Sequence, residues 1–265
     1  MTRLFTSGLG SLEPLRRPGA LALCLLGAAF LAPAPAQAFD MSAMTAEEQS
    51  AFRAEVRAYL LENPEVLMEA IEVLEAREAA AQAQNDQSLV AAYAQALTED
   101  GHSWIGGNPS GDITIVEFLD YRCRFCRRAF PVVEELVETD GNIRLIVKEF
   151  PILGPQSELA SRVAIATKLV EGDEAYKTVH DALMQFRGQF SEESLGALAR
   201  DEGFDADAIL GRMNAEAVSE VITKNRALAR TLQITGTPSF VVGDQMLRGF
   251  LPLEGMREVV AEERG

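Results

Sequence analysis

Two cysteines separated by two residues are the clearest chemical feature of this 265-residue sequence. Cys123 and Cys126 stand in the stretch YRCRFCRR, and the chain has one further cysteine, Cys24. Thiols at this spacing can exchange a disulfide with a second molecule or supply two ligands to a metal ion. Structural zinc needs four ligands, and the two histidines, His102 and His180, stand alone. Redox chemistry is therefore favoured, and a Cu(I) ion held by two thiolates stays open as the alternative.

The surroundings of the pair favour a reactive thiolate at Cys123. A mostly apolar, β-branched stretch over 113–121 predicts a buried strand, and a helix is predicted over 127–139. Cys123 would then lie at the N-terminal end of that helix, where unpaired backbone N–H groups lower the pKa of a thiol. We expect Cys123 to be the nucleophile and Cys126, one turn later, to resolve the mixed disulfide. Positive charge is added by four neighbouring arginines: Arg122, Arg124, Arg127 and Arg128.

The first 38 residues have the composition of a secretory signal peptide. Arginines precede an apolar run of 13 residues, ALALCLLGAAFLA, and small residues precede Phe39. We therefore expect cleavage near Ala38, a periplasmic location and loss of Cys24 with the signal. A retained membrane anchor is the alternative. After cleavage, Cys123 and Cys126 would be the only cysteines in an oxidising compartment.

The charge of the chain bears on its partners. The formal net charge is −16, and an acidic chain binds nucleic acids and anionic membranes poorly. We therefore expect no nucleic-acid partner.

The segment 39–99 is predicted to form an N-terminal helical stalk. It is rich in Ala, Glu, Gln and Leu, and one helix over 64–97 would be about 50 Å long. Large apolar residues become sparse beyond Leu74 until Leu89, so such a helix gains little by folding alone. An oligomerisation stalk is favoured, with a helical hairpin packed on its own domain as the alternative. Without a strict heptad repeat, the number of subunits is not readable from the spacing.

The remainder, 100–265, has the pattern of an α/β domain. A Gly-, Asn- and Pro-rich loop is predicted over 100–112, followed by the strand, the cysteine pair and its helix. A second strand is predicted over 142–152, and a helical block over about 156–230 follows it. A hairpin around Gly243-Asp244 and a final helix complete the order, which is that of an α/β domain with an all-helical insertion.

Three stretches carry a resemblance to a known family. GNPSGDITIVEFLDYRCRFC together with TGTPSF resembles the DsbA-like branch of the thioredoxin superfamily. YLLENPEVLMEAIEVLE resembles the N-terminal region of the suppressor-of-copper-sensitivity C proteins, a periplasmic group of thiol–disulfide oxidoreductases. The resemblance implies a thioredoxin fold with a helical insertion, preceded by a helical oligomerisation segment. It also implies a homo-oligomer, suggested to be a trimer, with no cofactor and a link to copper tolerance.

The same resemblance assigns roles to residues outside the cysteine pair. Thr237-Pro238 matches the cis-proline element that lies against the cysteines and pairs with the substrate backbone; a trans proline opening a strand is the alternative. Glu117 matches a buried acid that moves protons to and from Cys126, and Lys148 on the next strand would be its ion partner. For these two, an exposed pair at a strand end is the alternative.

The dipeptide between the cysteines departs from the family pattern. Relatives commonly carry Pro-His or Pro-Tyr, whereas this chain has Arg124-Phe125. Arg124 is expected to restore the positive charge that a histidine would supply and so to tune the thiol pKa. The reduction potential is the property least transferable from the family.

Three functions follow as hypotheses. The first is disulfide exchange with cysteine-containing exported proteins, sustained by a membrane thiol–disulfide redox partner. It divides into an oligomeric isomerase or reductase, which the stalk favours, and a monomeric dithiol oxidase. The second is Cu(I) handling by the same two cysteines, and the third is a scaffold in which the pair is incidental.

Overall fold

The computed structural model describes residues 43–265. The expected signal peptide, its cleavage site near Ala38 and Cys24 lie outside the described residues. The described residues fall into two units, 43–63 and Pro64–Gly265. Among residues 43–265, no helix combines the length and the apolar character needed to cross a bilayer.

The described part of the first unit is one helix, α1 (Ala46–Glu62). Its start is fixed by a capping box, in which the Glu48 N–H donates to Thr45 Oγ1 at 3.3 Å and the Thr45 N–H donates to Glu48 Oε2 at 2.8 Å. None of its residues is buried. Its large apolar side chains, which include Phe52 and Tyr59, are exposed. By itself, α1 therefore has an apolar surface without a partner.

The second unit begins with α2 (Glu65–Ala92) and α3 (Ala94–Thr98). The single helix predicted over 64–97 is interrupted at Tyr93, whose φ of −114° and ψ of 18° are not helical. Towards its C-terminal end α2 buries Asp86 and Val90, and α3 buries Leu97. The stalk was expected to extend to residue 99, but this part of it belongs to the core, because the apolar residues that return at Leu89 face the sheet.

A five-stranded sheet lies at the centre of this unit. Its strands are β1 (Trp104–Gly107), β2 (Ile113–Leu119), β3 (Ile143–Glu149), β4 (Ser239–Val242) and β5 (Gln245–Arg248), in the spatial order β1-β3-β2-β4-β5. The β2–β3 pair is parallel and the other three pairs are antiparallel. The predicted strands and the hairpin are present, so the α/β class is confirmed.

Strand β1 lies inside the stretch 100–112 that was predicted to be a loop. Trp104 pairs with Val147 of β3, and Gly107 pairs with Arg144. A Cβ atom at Gly106 would overlap the indole ring of Trp104, and Gly107 has a φ of +65° that favours glycine. The two glycines that indicated a loop are thus required by the packing of an edge strand.

Seven helices complete the second unit: α4 (Arg124–Asp140), α5 (Pro155–Glu171), α6 (Asp173–Gln185), α7 (Glu192–Asp201), α8 (Ala206–Arg212), α9 (Glu216–Thr231) and α10 (Leu253–Arg264). Helices α5 to α9 lie between β3 and β4 in the chain and form the predicted insertion. Two core clusters line the sheet. One joins it to α4, α10 and most of the insertion, and the other joins it to α9, α3 and the end of α2.

Trp104, the only tryptophan in the chain, connects the sheet to the insertion. Its ring stacks on Tyr176 of α6, with centroids 5.7 Å apart, and on His180 of the same helix at 6.5 Å. Its Nε1–H donates to the Asp173 carbonyl at 3.1 Å. The edge strand and α6 are therefore held together by one buried indole ring.

Candidate functional site at the cysteine pair

The two cysteines lie where β2 leads into α4. Cys123 is the N-cap residue of α4 and Cys126 lies in its first turn. Both thiols are free. Cys123 is 6% exposed and Cys126 is fully buried, so Cys123 is the sulfur that a second molecule can reach.

Hydrogen bonding stabilises the anionic form of Cys123. The Cys126 thiol makes the largest contribution, and the Thr237 side chain and the N–H groups of Cys126 and Phe125 add to it. Together they outweigh partial burial and lower the pKa of Cys123 to about 5. Burial, hydrogen bonding to Cys123 and the charge of Glu117 raise the pKa of Cys126. The pair thus consists of one thiol that ionises readily and one that does not.

Arginine charge contributes less to this contrast than the sequence suggested. The largest causes of the low Cys123 pKa are hydrogen bonds, and Arg124 is not among them. Arg124 is the first residue of α4 and its side chain is exposed, so solvent screens its charge. Tuning of the thiol by Arg124 therefore stays a prediction, and local N–H and S–H donors are the larger causes of the low Cys123 pKa.

The Thr237-Pro238 element lies against the cysteines, as predicted. The peptide bond between the two residues is cis. The Cys123 thiol donates to the Thr237 carbonyl at 3.1 Å, and the Gly249 N–H donates to the Pro238 carbonyl at 3.0 Å. The element is thereby held between Cys123 and the residue that follows β5.

Glu117 is buried beneath the pair, as the resemblance implied. It is 4% exposed, and its Oε1 has no hydrogen-bond partner. Burial raises its pKa to about 8, and the charges of Glu134, Cys123 and Glu149 act in the same direction. Near neutral pH this carboxyl group therefore holds a proton next to the thiols.

The predicted ion pair between Glu117 and Lys148 is wrong. Glu117 pairs in register with Val147, so Lys148 is opposite Phe118 and points to the other face of the sheet. There its Nζ donates to the Ala96 carbonyl at 2.9 Å and forms a salt bridge with Asp100. Lys148 is buried as expected, but it has a different partner and does not reach the cysteines.

A second buried acid on the same face as Glu117 was not anticipated. Glu149, at the end of β3, accepts hydrogen bonds from the Tyr121 hydroxyl at 2.7 Å and the Tyr176 hydroxyl at 2.6 Å. Tyr121 Oη is also 3.0 Å from Nδ1 of His180. Burial raises the pKa of Glu149 to about 7 and lowers that of His180 to about 3. The sequence signal for this group was an acidic residue at the end of a buried strand. Nothing in the sequence indicated that residues of α6 would contact it.

Metal ligands are sparse in the described part of the chain. Among residues 43–265, no group of three or more His, Cys, Asp or Glu side chains is placed to hold a metal ion. Two cysteine sulfurs remain a sufficient ligand set for Cu(I).

Two family models match the chain. A DSBA-like thioredoxin domain matches residues 114–261, and a Copper resistance protein ScsC N-terminal domain matches residues 48–81. The first covers more than half of the chain and includes the cysteines, Glu117 and Thr237-Pro238. The second covers α1 and the exposed first part of α2.

Solved structures with similar folds include three bacterial proteins. A thioredoxin-like oxidoreductase from Silicibacter pomeroyi is 39% identical, with 64% of this chain and 96% of that chain covered and a TM-score of 0.61. BcfH of Salmonella enterica Typhimurium is 30% identical, with coverages of 83% and 97% and a TM-score of 0.70. Proteus mirabilis ScsC is 28% identical, with coverages of 84% and 97% and a TM-score of 0.61.

Curated relatives differ in how much of their length is matched. Na(+)/H(+) antiporter NhaA 1 of Salinispora arenicola is 26% identical over 159 residues, which are 59% of this chain, and the chain spans 24% of the antiporter. Disulfide bond formation protein D of Bacillus subtilis is 23% identical over 189 residues, with 63% of this chain and 84% of that protein covered. The family models and the solved structures together show that the chain belongs to the DsbA-like thioredoxin-domain family and carries a ScsC N-terminal domain ahead of that domain.

Proposed function

We propose that this protein is a thiol–disulfide oxidoreductase that exchanges disulfides with cysteine-containing proteins through Cys123 and Cys126. The observation that carries the proposal is the contrast between the two thiols. Cys123 is at a helix N-terminus with a pKa of about 5, whereas Cys126 is buried with a raised pKa. Such a pair has a nucleophile that is ionised at neutral pH and a resolving thiol held within reach.

In the oxidising direction the protein starts with a Cys123–Cys126 disulfide. A substrate thiolate attacks Sγ of Cys123, a mixed disulfide forms, and Cys126 leaves as a thiolate and takes up a proton. The second substrate thiolate then attacks the substrate sulfur of the mixed disulfide. The products are a substrate disulfide and Cys123 thiolate, so two electrons pass from substrate to protein. The reverse sequence reduces a substrate disulfide.

Two elements assist these steps. The Glu117 carboxyl group, with a pKa of about 8, supplies the proton that Cys126 takes up and accepts it again when Cys126 attacks. The Thr237-Pro238 element aligns the substrate main chain beside Cys123, where its own carbonyl is 3.1 Å from the sulfur. Both roles are consistent with the matched family domain.

Titration of Cys123 tests the proposal. The ultraviolet absorbance of the thiolate in Cys126→Ser should rise with a midpoint below about 7. With a symmetrical disulfide of a cysteine peptide, the same variant should release one peptide thiol and accumulate the mixed disulfide at Cys123, because no second thiol resolves it. Cys123→Ser should lose both signals. A midpoint near about 8.5, the value of an ordinary cysteine, would remove the basis of the mechanism.

The cellular setting is part of the proposal. The signal-like residues 1–38 and the ScsC N-terminal match support a periplasmic location after cleavage near Ala38. Substrates are then exported proteins, and a membrane thiol–disulfide partner restores the redox state of the pair. N-terminal sequencing of the exported protein should begin at Phe39.

The N-terminal helices support a homo-oligomer, which favours an isomerase or reductase over a monomeric oxidase. In α2 the side chains of Leu67, Ile71 and Leu74 follow helical spacing and are 46–54% exposed. In water such a surface is stabilised by burial against another chain. The family resemblance suggests a trimer.

Removing the exposed part of the stalk tests this role. A chain beginning at residue 82 keeps Asp86 and the packed end of α2. It should be a monomer by native mass that oxidises dithiols but no longer shuffles scrambled disulfides. The full-length variant Leu67→Gln/Ile71→Gln/Leu74→Gln is the control, because it keeps the chain length. Undiminished shuffling by both proteins would mean that the stalk is not needed.

Cu(I) handling is the second candidate function. It is favoured by the adjacent thiols and by the match to a Copper resistance protein ScsC N-terminal domain. Cu(I) affinity and disulfide exchange measured for wild type and Pro238→Ala distinguish the two. If the protein is an exchange enzyme, Pro238→Ala should lower the rate of disulfide exchange. If it is a copper carrier, neither wild type nor Pro238→Ala should exchange disulfides.

A further inference from the structure

The segments that border Cys123 are positively charged although the chain as a whole is strongly acidic. Within 120–133, 150–157, 186–191, 232–243 and 246–253 the sequence contains six arginines and one acidic residue, Asp120. One of the six, Arg248, is paired with Asp86. Acidic residues stand directly outside these bounds, at Glu134, Glu149, Glu158, Glu192, Asp244 and Glu254. Four of the arginines have exposed side chains and are called here the cationic face: Arg122, Arg124, Arg128 and Arg187. The net charge of −16 is therefore carried by other parts of the chain.

The single acid in these segments does not offset the cationic face at the surface. Asp120 is fully buried, and its carboxylate accepts hydrogen bonds from the N–H groups of Arg122 at 2.8 Å, Ile152 at 2.8 Å and Leu153 at 3.0 Å. It ties the loop after β3 to the loop that carries Cys123. Both carboxylate oxygens of Asp120 therefore already accept hydrogen bonds from backbone N–H groups.

Contacts of α4 hold the neighbouring loops close to Cys123. Arg127 donates to the Tyr121 carbonyl at 2.7 Å and also to the Phe186 carbonyl. It thereby brings the loop that carries Arg187 next to the start of α4. The guanidinium of Arg128 lies 5.8 Å from the ring centroid of Phe125.

Other contacts complete the face. Arg128 also lies 5.7 Å from the ring centroid of Phe250, in the segment after β5. Arg122 donates to the Leu153 carbonyl at 3.2 Å. Apolar side chains are exposed among the arginines, with Phe125 at 56% and Leu153 at 45%. The surface next to the reactive sulfur therefore combines guanidinium groups with apolar area.

We propose that the cationic face selects substrates whose reactive cysteine is flanked by acidic and apolar residues. This inference rests on the proposed function and names its substrate class. Charge complementarity accounts for the selection, because an acidic segment is attracted by the cationic face and repelled by the acidic remainder of the chain. Electrostatic steering of this kind raises association rates by roughly 10- to 1000-fold and weakens as salt increases.

Single-turnover exchange with three peptides tests the inference. Each peptide is a symmetrical disulfide of one cysteine peptide, and the flanking residues are acidic, neutral or basic. Cys123 thiolate attacks the peptide disulfide and releases one peptide thiol; Cys126 then attacks the mixed disulfide and releases the second. The reduced protein supplies both electrons and becomes the Cys123–Cys126 disulfide. Every rate constant is divided by that of a small neutral dithiol with the same peptide, which removes differences in peptide reactivity.

Wild type should react at least about 10-fold faster with the acidic than with the basic peptide at low salt, and the ratio should fall towards one at high salt. Arg122→Gln/Arg128→Gln/Arg187→Gln should lose most of the preference and keep its rate with the neutral peptide. The matched control Arg77→Gln/Arg200→Gln/Arg212→Gln removes the same charge from exposed positions on α2, α7 and α8. It should keep the preference.

The outcomes separate this inference from the function on which it rests. Exchange of the neutral peptide with no preference between acidic and basic peptides would overturn the inference and leave the oxidoreductase intact. Equal loss of preference in both triple variants would also overturn it, since net charge alone would then be responsible. Binding of wild type, but not of the triple arginine variant, to anionic vesicles, together with equal exchange rates for acidic and basic peptides, would also overturn the inference. The cationic face would then be a membrane-binding surface. No exchange with any peptide would contradict the proposed function itself.

Discussion

Glu117 of β2 and Lys148 of β3 are buried on opposite faces of the central sheet, and their surroundings differ. On the face towards α4, Glu117 has an oxygen without a hydrogen-bond partner and a pKa raised to about 8. On the opposite face, Lys148 is paired with Asp100, whose pKa is lowered to about 2 by hydrogen bonds from Lys148 and Ser103 that outweigh desolvation. Neighbouring positions on paired strands therefore carry an unpaired acid and a paired base.

This difference indicates that Glu117 is suited to proton transfer, whereas Lys148 stabilises the fold. An unpartnered buried carboxyl group costs stability and can exchange a proton, which suits a position beneath a redox pair. A buried ion pair with additional hydrogen bonds fixes the segment around Asp100 to the sheet, but is not available for proton transfer.

Breaking the ion pair should have the largest effect on stability. Lys148→Met leaves Asp100 without its cation and should lower the free energy of unfolding by about 3–5 kcal/mol. Urea unfolding measures this. Lys224→Met is the control, because both side chains of the Lys224–Glu220 pair are exposed and its loss should cost no more than about 1 kcal/mol. Equal losses in the two variants would mean that burial of the pair is unimportant.

Removing the unpaired acid should act in the opposite direction and depend on pH. The folded-state pKa of Glu117 is raised to about 8 from 4.5, so wild type loses stability as the pH rises between these values. Glu117→Gln should therefore be more stable than wild type at pH 9, by roughly 2–4 kcal/mol, and close to it at pH 4. Its exchange rate should also lose the pH dependence near 8. A stability difference that does not change with pH would contradict the assigned burial.

The smallest effect is expected at the second acid on the same face. Tyr176→Phe removes one of two hydroxyl groups that donate to Glu149, and Tyr121 still donates to the same oxygen. The loss of stability should be about 1 kcal/mol. The double variant Tyr121→Phe/Tyr176→Phe should lose more than twice as much, because Glu149 then has neither donor. Strict additivity would show that the two hydroxyl groups act independently.

The sequence was sufficient for features determined by local pattern. The cysteine pair, the strand before it and the helix after it follow from spacing, and the cis bond at Thr237-Pro238 and the burial of Glu117 follow from the family resemblance. Each depends on short segments with distinct chemistry.

Features that depend on register were not predictable. The offset between two parallel strands cannot be read from either strand alone, and one residue of offset moves a side chain to the opposite face. This is why Lys148 was assigned to Glu117 rather than to Asp100. The same limit applies to Glu149, because Tyr176 and His180 reach it from a helix far along the chain. Strand β1 was missed because its glycines also fit a turn.

The position of Trp104 makes the protein its own optical reporter. The chain has a single indole ring, which lies between the edge strand and α6, so its tryptophan fluorescence comes from one known position. Detachment of the insertion from the sheet should shift that emission to longer wavelength, even when helix content measured by circular dichroism stays constant. Comparing the two signals during denaturation therefore reveals whether the insertion separates from the sheet before the rest of the unit unfolds.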